Sequence, residues 1–495
     1  MRETLAAPPL VITMEEFRSH WEPQGWQLLV IGPTATWRTE WGEWEAIRDI
    51  VQNALDETET YSWGYDDQGL YIRDAGKGMA IEHFLLGPPM PKPPYARGRF
   101  GEGMKIAALA LLRKGYQVRV ETVGKEVWLV FLRVRLDTMA EQLAALWRVN
   151  GLPHGTAFHI IGYFGNAFAD RFAVNIPRDQ VLHEGPSPLH EPVQRYNQLI
   201  ASPPGRIYAR DIYMRDIQSP FSYNLWGFEM APDRHGPRNE DHLWVDMGRV
   251  WATVSRVDLL ERFLGMVQVP PLEVADEGRN IDMGDWAMGE DPVSKKAYWG
   301  LMLEHKDAWK EAWRLQMGEN VVLRTDPRWD ATMKHLGYES ASVGWGVQGA
   351  ISQVIWRDID LVRASQERLR DAEVIPDGTL TPQQRAHLGL ARAIAARYRY
   401  PPIVGVHAAI IPPASDRMRT AGLYNTKTQE VLISAEQLDT GRHTVDTVIH
   451  EIAHCVSGAE DGQPMHNEAM TAVAAHVVQW VAAGYFDEEI KEVVW

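Results

Sequence analysis

The sequence predicts a multidomain α+β protein, and three observations carry that expectation. At 495 residues the chain is too long for one ordinary hydrophobic core. Stretches of helical and of strand periodicity are intermingled along it, without the regular alternation of a parallel α/β fold. Two proline- and glycine-rich stretches punctuate the pattern: PPMPKPPYARGRFG reads as a stiffened loop and IPDGTLTP as a linker.

Residues 1–40 mix a short amphipathic stretch with a segment broken by proline and glycine, and read as an N-terminal arm. EWEAIRDIVQNALDET predicts a helix, because Ile47, Ile50, Val51, Ala54 and Leu55 fall on one stripe. GLYIRD reads as a strand ending at a glycine turn, AIEHFLLG as a short helix and MKIAALALLRK as a strongly apolar helix. YQVRVETVG, KEVWLVFLRVRL and HGTAFHIIGYF follow as strands and close a first domain over 41–165. Residues 166–290 are mixed, with a strand-like GRIYARDIYMRD and a helical VSRVDLLERFLGMV. Residues 291–380 are mainly helical in pattern. The last domain, 381–495, combines a helix (PQQRAHLGLARAIAARY), strands (IVGVHAAII, GLYNTKTQEVLIS) and a helix that carries two histidines.

Composition narrows the class. Hydrophobic residues at 45% and charged residues at 23% describe a globular chain. The formal charge of −16 gives no general attraction to nucleic acid. There is no apolar run of about 18 residues, hence no expected membrane span. The first residues, MRETLAAPPLVITMEEF, lack the basic-then-apolar pattern of a secretory signal. One cysteine, Cys455, excludes an intrachain disulfide framework and fits a reducing, cytoplasmic setting.

Two groups of residues carry chemistry. In the first, Asp49, Asn53 and Asp56 share one helical face, which suits a carboxylate for water and an amide oxygen for Mg²⁺. Asp74 ends a strand just before Gly76 and Gly78, so its carboxylate can accept from an adenine amino group while the glycines admit a ligand. Gly98, Gly101 and Gly103 precede a helix, whose N-terminal N–H groups suit phosphate. A single glycine turn of this kind is usually only a turn; the ordered set is more specific. It resembles the GHKL ATPases, the Bergerat-fold family of gyrase B, heat-shock chaperones, histidine kinases and MutL.

DIVQNALDE is similar to the family's helix motif with Asn53 at the magnesium position, and DAGKGM to its D-x-G-x-G block with Asp74 reading adenine. GRFGEGMKIA is similar to the glycine block after the ATP lid, which makes PPMPKPPYAR the lid. HGTAF is similar to the late G-T strand with Thr156 near the adenine end. The resemblance covers 41–165 and implies a Bergerat-fold α/β sandwich binding ATP with Mg²⁺. Hydrolytic members place glutamate where Asp49 stands as the catalytic carboxylate, and the shorter reach makes binding a firmer expectation than turnover. The resemblance also implies a lysine from the next domain on the γ-phosphate. Residues 166–290 contain no lysine, which leaves Lys105 or Arg178 for that role.

In the second group, TVDTVIHEIAHCVSG sets His450 and His454 one helical turn apart, so both imidazoles reach one zinc ion, with Glu451 between them as a proton acceptor. A catalytic zinc needs a third protein ligand and an open position. His466 is the first candidate, with Glu468 or Asp461 as alternatives, while His476 reads as a packed core histidine and Cys455 as a small packed residue. The segment resembles a compact zincin metallopeptidase, SprT-like or minimal-gluzincin-like, in which an edge strand binds an extended peptide.

Together the two resemblances imply an ATP-regulated zinc metalloprotease acting on a protein or peptide, with ATP closing the lid or driving homodimerisation; the acidic, single-cysteine chain fits an intracellular protein, bacterial or phage-encoded. Residues 166–290 are expected to act as a transducer-like region and 291–380 as a helical connector. The alternatives are a non-proteolytic GHKL ATPase with a structural zinc, chaperone-like or engaged in DNA transactions, and a nucleotide-binding scaffold without hydrolysis.

Overall fold

A computed structural model describes residues 7–58, 60–85, 102–134, 140–165, 168–187, 195–231, 236–269, 302–398, 401–461 and 463–495. The fold class is α+β, with helices and several separate sheets. The chain divides into two compact units, Met1–Val250 and Trp251–Trp495. These are coarser than the divisions at 165, 290 and 380 that the sequence suggested.

The first unit is built on an eight-stranded sheet. Its strands are β1 (Val11–Thr13), β2 (Gln27–Thr34), β3 (Ser62–Tyr65), β4 (Gly69–Asp74), β5 (Gln117–Thr122), β6 (Lys125–Arg133), β7 (Glu141–Val149) and β8 (Thr156–Ile161). The order is β2-β7-β6-β5-β8-β4-β3, with β1 added parallel to the end of β6. Helices α1 (Glu43–Thr58) and α2 (Gly103–Arg113) cover one face. The stripe Ile47, Ile50, Val51 and Leu55 meets Leu109 and Leu111 of α2 and inward residues of the strands, all buried in one core.

Strand β6 explains why residues 7–40 do not form a free arm. Its Val127, Leu129 and Phe131 face the helices, while the alternate Trp128, Val130 and Leu132 face the other side. That second apolar face needs cover, and Ile12, Phe17, Trp21 and Trp26 supply it. The Arg148 guanidinium stacks over Trp26 at 4.5 Å. The stretch read as an arm therefore contributes two strands and the cover of one sheet face.

A second sheet in this unit has the order β12-β11-β13-β10-β9. Its strands are β9 (Val181–Pro186), β10 (Tyr196–Ile200), β11 (Arg206–Ala209), β12 (Ile212–Asp216) and β13 (Ser222–Leu225). GRIYARDIYMRD, read as one strand, is a hairpin that turns at Arg210 and Asp211, with φ of 53° and 74°.

Among its described residues the second unit contains two sheets. The smaller joins β14 (Gln268–Val269), β15 (Val321–Leu323) and β16 (Glu339–Val343) in the order β14-β16-β15, with the short helix α3 (Asp330–His335) between the last two strands. The larger joins β17 (Glu373–Val374), β18 (Gly405–Ile410), β19 (Gly422–Asn425) and β20 (Glu430–Ser434) in the order β17-β18-β20-β19. Against it pack α4 (Pro382–Ala395), α5 (Gly441–Ser457) and α6 (Pro464–Ala482) around one core that includes Leu388, Ile394, Val431, Ile433, Val448, Ile452 and Val473. α4 begins as its sequence implies: Thr381 and Gln384 form a reciprocal capping box ahead of Pro382.

No helix among the described residues is long and apolar enough to cross a membrane.

Phe17 is 6% exposed against the far face of the sheet. Phe17→Ala is expected to destabilise the first unit by about 3–5 kcal/mol, read from a lowered denaturation midpoint. A midpoint equal to the parent's would show that this face needs no cover.

Candidate functional site

The histidine pair sits in the middle of α5, and its surroundings follow from how that helix ends. Gly458, in the left-handed conformation at φ 66°, stops the helix and its N–H bonds back to the His454 carbonyl. The chain then turns toward α6, carrying Asp461 and His466 back over the pair. Among the described residues, His450, His454, Asp461 and His466 bring donor atoms within 4.8 Å of one another.

His454 Nε2 lies 3.2 Å from His450 Nε2. Asp461 Oδ1 is 2.8 Å from His450 Nε2, 3.3 Å from His454 Nε2 and 4.0 Å from His466 Nδ1. Bonds of about 2.0 Å on a tetrahedral zinc place donors about 3.3 Å apart. The first three separations lie at or below that value and the fourth exceeds it.

Polar contacts behind the cluster orient it. His454 Nδ1 is 2.8 Å from the Ala459 carbonyl, so this nitrogen carries the proton and donates, leaving Nε2 as the lone-pair donor toward the cluster. Asp461 uses its second oxygen as well: Oδ2 is 3.0 Å from Nε2 of His335, the last residue of α3.

His466 is 1% exposed, yet neither ring nitrogen makes a well-formed hydrogen bond. The backbone group it faces is that of His450. His387 provides the contrast in the same unit. It is 0% exposed, but its Nδ1 donates to the Leu438 carbonyl and its Nε2 accepts from the Val494 N–H. The donor set and the unsatisfied nitrogens of His466 fit a zinc ion.

Electrostatics follow the geometry. Burial acts to lower both His450 and His454, but the Asp461 hydrogen bond and the charge of Glu451 outweigh it, so both are raised, His454 to about 9. Burial, then the neighbouring charges of His454 and His450, lowers His466. Burial would raise Asp461, yet its hydrogen bonds to the two histidines and the charge of His335 hold it well below the usual carboxylate range.

Glu451 lies on the buried side of α5. Burial raises its carboxyl to about 7, against the opposing charges of His454 and His450 and a hydrogen bond from the Tyr424 backbone. A Cβ at Gly422 would stand 2.7 Å from Glu451 Oε1, so β19 passes close over this carboxyl only because residue 422 is glycine. β19 is also the edge of its sheet.

Glu468 is exposed on α6 and outside the cluster. Cys455 is buried, as its setting suggested. His476 is not a core residue: it is exposed and stacks on Trp480 at 5.8 Å. The stripe of α6 that packs inward is His466, Ala469, Val473 and Val477, and residue 476 falls beside it.

In the first unit, Asp74 is paired in register with Thr156, and its Oδ1 accepts from the Gly76 N–H at 2.8 Å. Burial, with the Glu57 charge adding, raises its carboxyl despite hydrogen bonds from backbone groups. Gly78 has φ +81°, and a Cβ there would meet Val123 at 2.5 Å and Thr122 Oγ1 at 2.9 Å. A Cβ at Gly76 would meet Glu57 Cγ at 2.1 Å, and Glu57 Oε1 accepts from Lys77 N–H at 3.0 Å. Glu57, absent from the sequence reading, thus holds the glycine turn against α1.

Asn53 and Asp56 are partly buried on the same helix. Asp49 is 4% exposed, bonds the Arg48 Nε at 3.3 Å, and lies against Gly103 so closely that a Cβ there would stand 1.8 Å from its Oδ2. Its carboxylate therefore sits at the start of α2, where a helix N-terminus favours negative charge. Lys105 is 5% exposed and its ammonium is lowered by burial, with Glu102 opposing. Arg178 is engaged by both oxygens of Glu184, at 2.6 and 2.5 Å. Gly98, Gly101 and the lid PPMPKPPYAR lie outside the described residues.

Comparison with protein-family models finds no match to this chain, and a search of curated proteins finds none either.

Metal ligation requires His450 and His454 without their protons, and His454 holds its proton up to about 9. Zinc uptake near neutral pH is therefore expected to release protons, and apparent affinity to rise from about pH 6 toward about pH 9. Calorimetry in buffers of different ionisation enthalpy and chelator competition across that range check this. A pH-independent affinity without proton release would contradict the geometry.

Proposed function

We propose that the protein is a zinc metallopeptidase under the control of an ATP-binding GHKL-type domain. The observation that carries this reading is the approach of Asp461 and the buried, unsatisfied His466 to a histidine pair that brackets a buried glutamate. His450, His454 and His466 would hold the zinc, and Asp461 would stand at the fourth position as a donor that water or substrate displaces. Zinc, when bound, supplies a Lewis acid that polarises a peptide carbonyl and water.

The chain's own residues divide the remaining work. Glu451, its carboxyl raised by burial, suits both removal of a proton from the attacking water and its return to the leaving amine. The free edge of β19 offers main-chain N–H and C=O groups to an extended protein or peptide substrate. Gly422 lets that strand run directly over Glu451.

In the first unit, Asp74, Gly76, Gly78 and Thr156 would receive adenine, and Asn53 the Mg²⁺ of ATP. The resemblance to Bergerat-fold ATPases, rather than any match to a family model, supports this. The Arg48 partner and the enclosure of Asp49 favour nucleotide binding over rapid turnover. ATP-driven closure or homodimerisation would then regulate cleavage. The setting would be the cytoplasm, in keeping with the single buried cysteine.

A second reading has its own observation: four donors complete a tetrahedron, and a zinc so closed is structural. The protein would then be a non-proteolytic ATPase. Zinc-loaded parent and Glu451→Gln, incubated with casein, separate the two. The expected result is a loss of about 10²–10⁴-fold in cleavage with zinc content unchanged. Equal cleavage by both forms would sink the peptidase reading. No cleavage by the parent, together with four protein ligands in its X-ray absorption spectrum, would establish the closed site.

Asn53→Ala is expected to abolish Mg-ATP binding in titrations with a fluorescent analogue and to remove any nucleotide effect on cleavage. Its zinc content should match the parent's. Unchanged nucleotide affinity would remove Asn53 from the magnesium position.

A further inference from the structure

We propose that His335 is a positioning residue for the metal centre: it fixes Asp461 as a ligand and thereby ties zinc occupancy to the docking of the α3 segment. The inference rests on the metal-binding half of the reading above and is independent of whether the centre cleaves peptides.

Asp461 presents two oxygens with separate duties. Oδ1 faces His450 and His454, and Oδ2 receives His335 Nε2 at 3.0 Å. A carboxylate on a turn between two helices can rotate about its side-chain bonds, and the His335 ring nitrogen 3.0 Å from Oδ2 favours the orientation that aims Oδ1 at the cluster. His335 has 42% of its side chain exposed, so core packing gives no account of its orientation.

The segment that delivers His335 is anchored beside it. The Leu336 carbonyl accepts from Ser415 Oγ at 2.8 Å, and both residues are buried. Gly337, at φ +82°, turns the chain directly under Arg417: a Cβ there would approach Arg417 Cβ at 3.1 Å. Arg417 in turn lies over the Tyr338 ring at 5.5 Å, and Arg368 pairs with Asp416 at 2.7 Å. Residues 414–418 lie in the connection between β18 and β19, the strand over Glu451. Thus α3 and the residues after it make two contacts: His335 with the second oxygen of Asp461, and Leu336, Gly337 and Tyr338 with the loop before β19.

Thermodynamic reciprocity follows. If docking of α3 strengthens zinc binding, zinc strengthens docking of α3 by the same free energy.

The test uses the full chain and zinc ion alone. Zinc affinity is measured by chelator competition for the parent, His335→Ala, His335→Gln and Arg368→Ala. Loss of an outer polar partner of a metal ligand weakens affinity about 10–100-fold, which is the result expected for His335→Ala. Gln carries an amide donor near the position of Nε2 and should restore most of the affinity. Arg368→Ala disturbs the same docked loop without touching Asp461 and should bind as the parent does. Hydrogen exchange supplies a readout of the coupling: zinc should slow exchange in residues 330–335 of the parent and not of His335→Ala.

Affinity unchanged in His335→Ala overturns the inference. So does an equal loss in all three variants, which would assign the effect to docking in general. Equal slowing of exchange by zinc in parent and His335→Ala overturns the coupling. A parent that takes up no zinc overturns the metal reading and this inference with it.

Discussion

Burying an imidazole costs free energy unless both ring nitrogens find partners, because each has lost hydrogen bonds to water. His387 meets that requirement with two backbone groups and clamps the chain terminus against α4. His466, equally buried, leaves both nitrogens unsatisfied, and it does so facing two more histidines and an aspartate. A metal ion would remove this cost at the ring nitrogen turned to the cluster, with the His450 backbone group facing the ring as well. The turn at Gly458, the return of α6 and the orientation of His454 by the Ala459 carbonyl all serve the same convergence.

The first unit obeys a different constraint, which is close approach of backbone to side chain. Gly76, Gly78 and Gly103 each occupy a place where a Cβ would collide: with Glu57, with Thr122 and Val123, and with Asp49. Substitutions there act through steric conflict whatever ligand the region takes. The Asp49 carboxylate occupies the beginning of α2 with an arginine partner, so it already has the charge compensation that a catalytic base in an open site would lack.

What the sequence made legible follows from distance along the chain. His450, Glu451 and His454 could be read because helical periodicity alone places them. The both-sided apolarity of β6 was equally visible in VWLVFL, yet the cover it requires comes from residues about a hundred positions earlier, which read as an arm. Asp461 and His466 were both named, but their relation depends on the turn between two helices, which local spacing does not fix. His335, Gly422, Tyr424 and Glu57 carried no signal, since each matters only through a tertiary contact. His476 shows the converse: an apolar-looking helix did not reveal which stripe would turn inward.

The choice between an open and a closed centre turns on Glu451. A structural zinc needs ligands and their outer hydrogen bonds, and nothing in that role calls for a buried ionisable group beside them. Glu451 is 4% exposed, receives a backbone hydrogen bond from an edge strand, and is raised to about 7 by its burial. Keeping a carboxyl there disfavours its ionised form, and an apolar or amide side chain would serve packing without that penalty. The glycine at 422 adds a second local cost, since it exists to let the strand edge approach this same carboxyl. Two costs accepted at one atom, beneath an open strand edge, weigh toward a group that exchanges a proton with a bound chain. On the proposed reading Asp461, which sits on the turn between two helices, would be the donor that a substrate displaces.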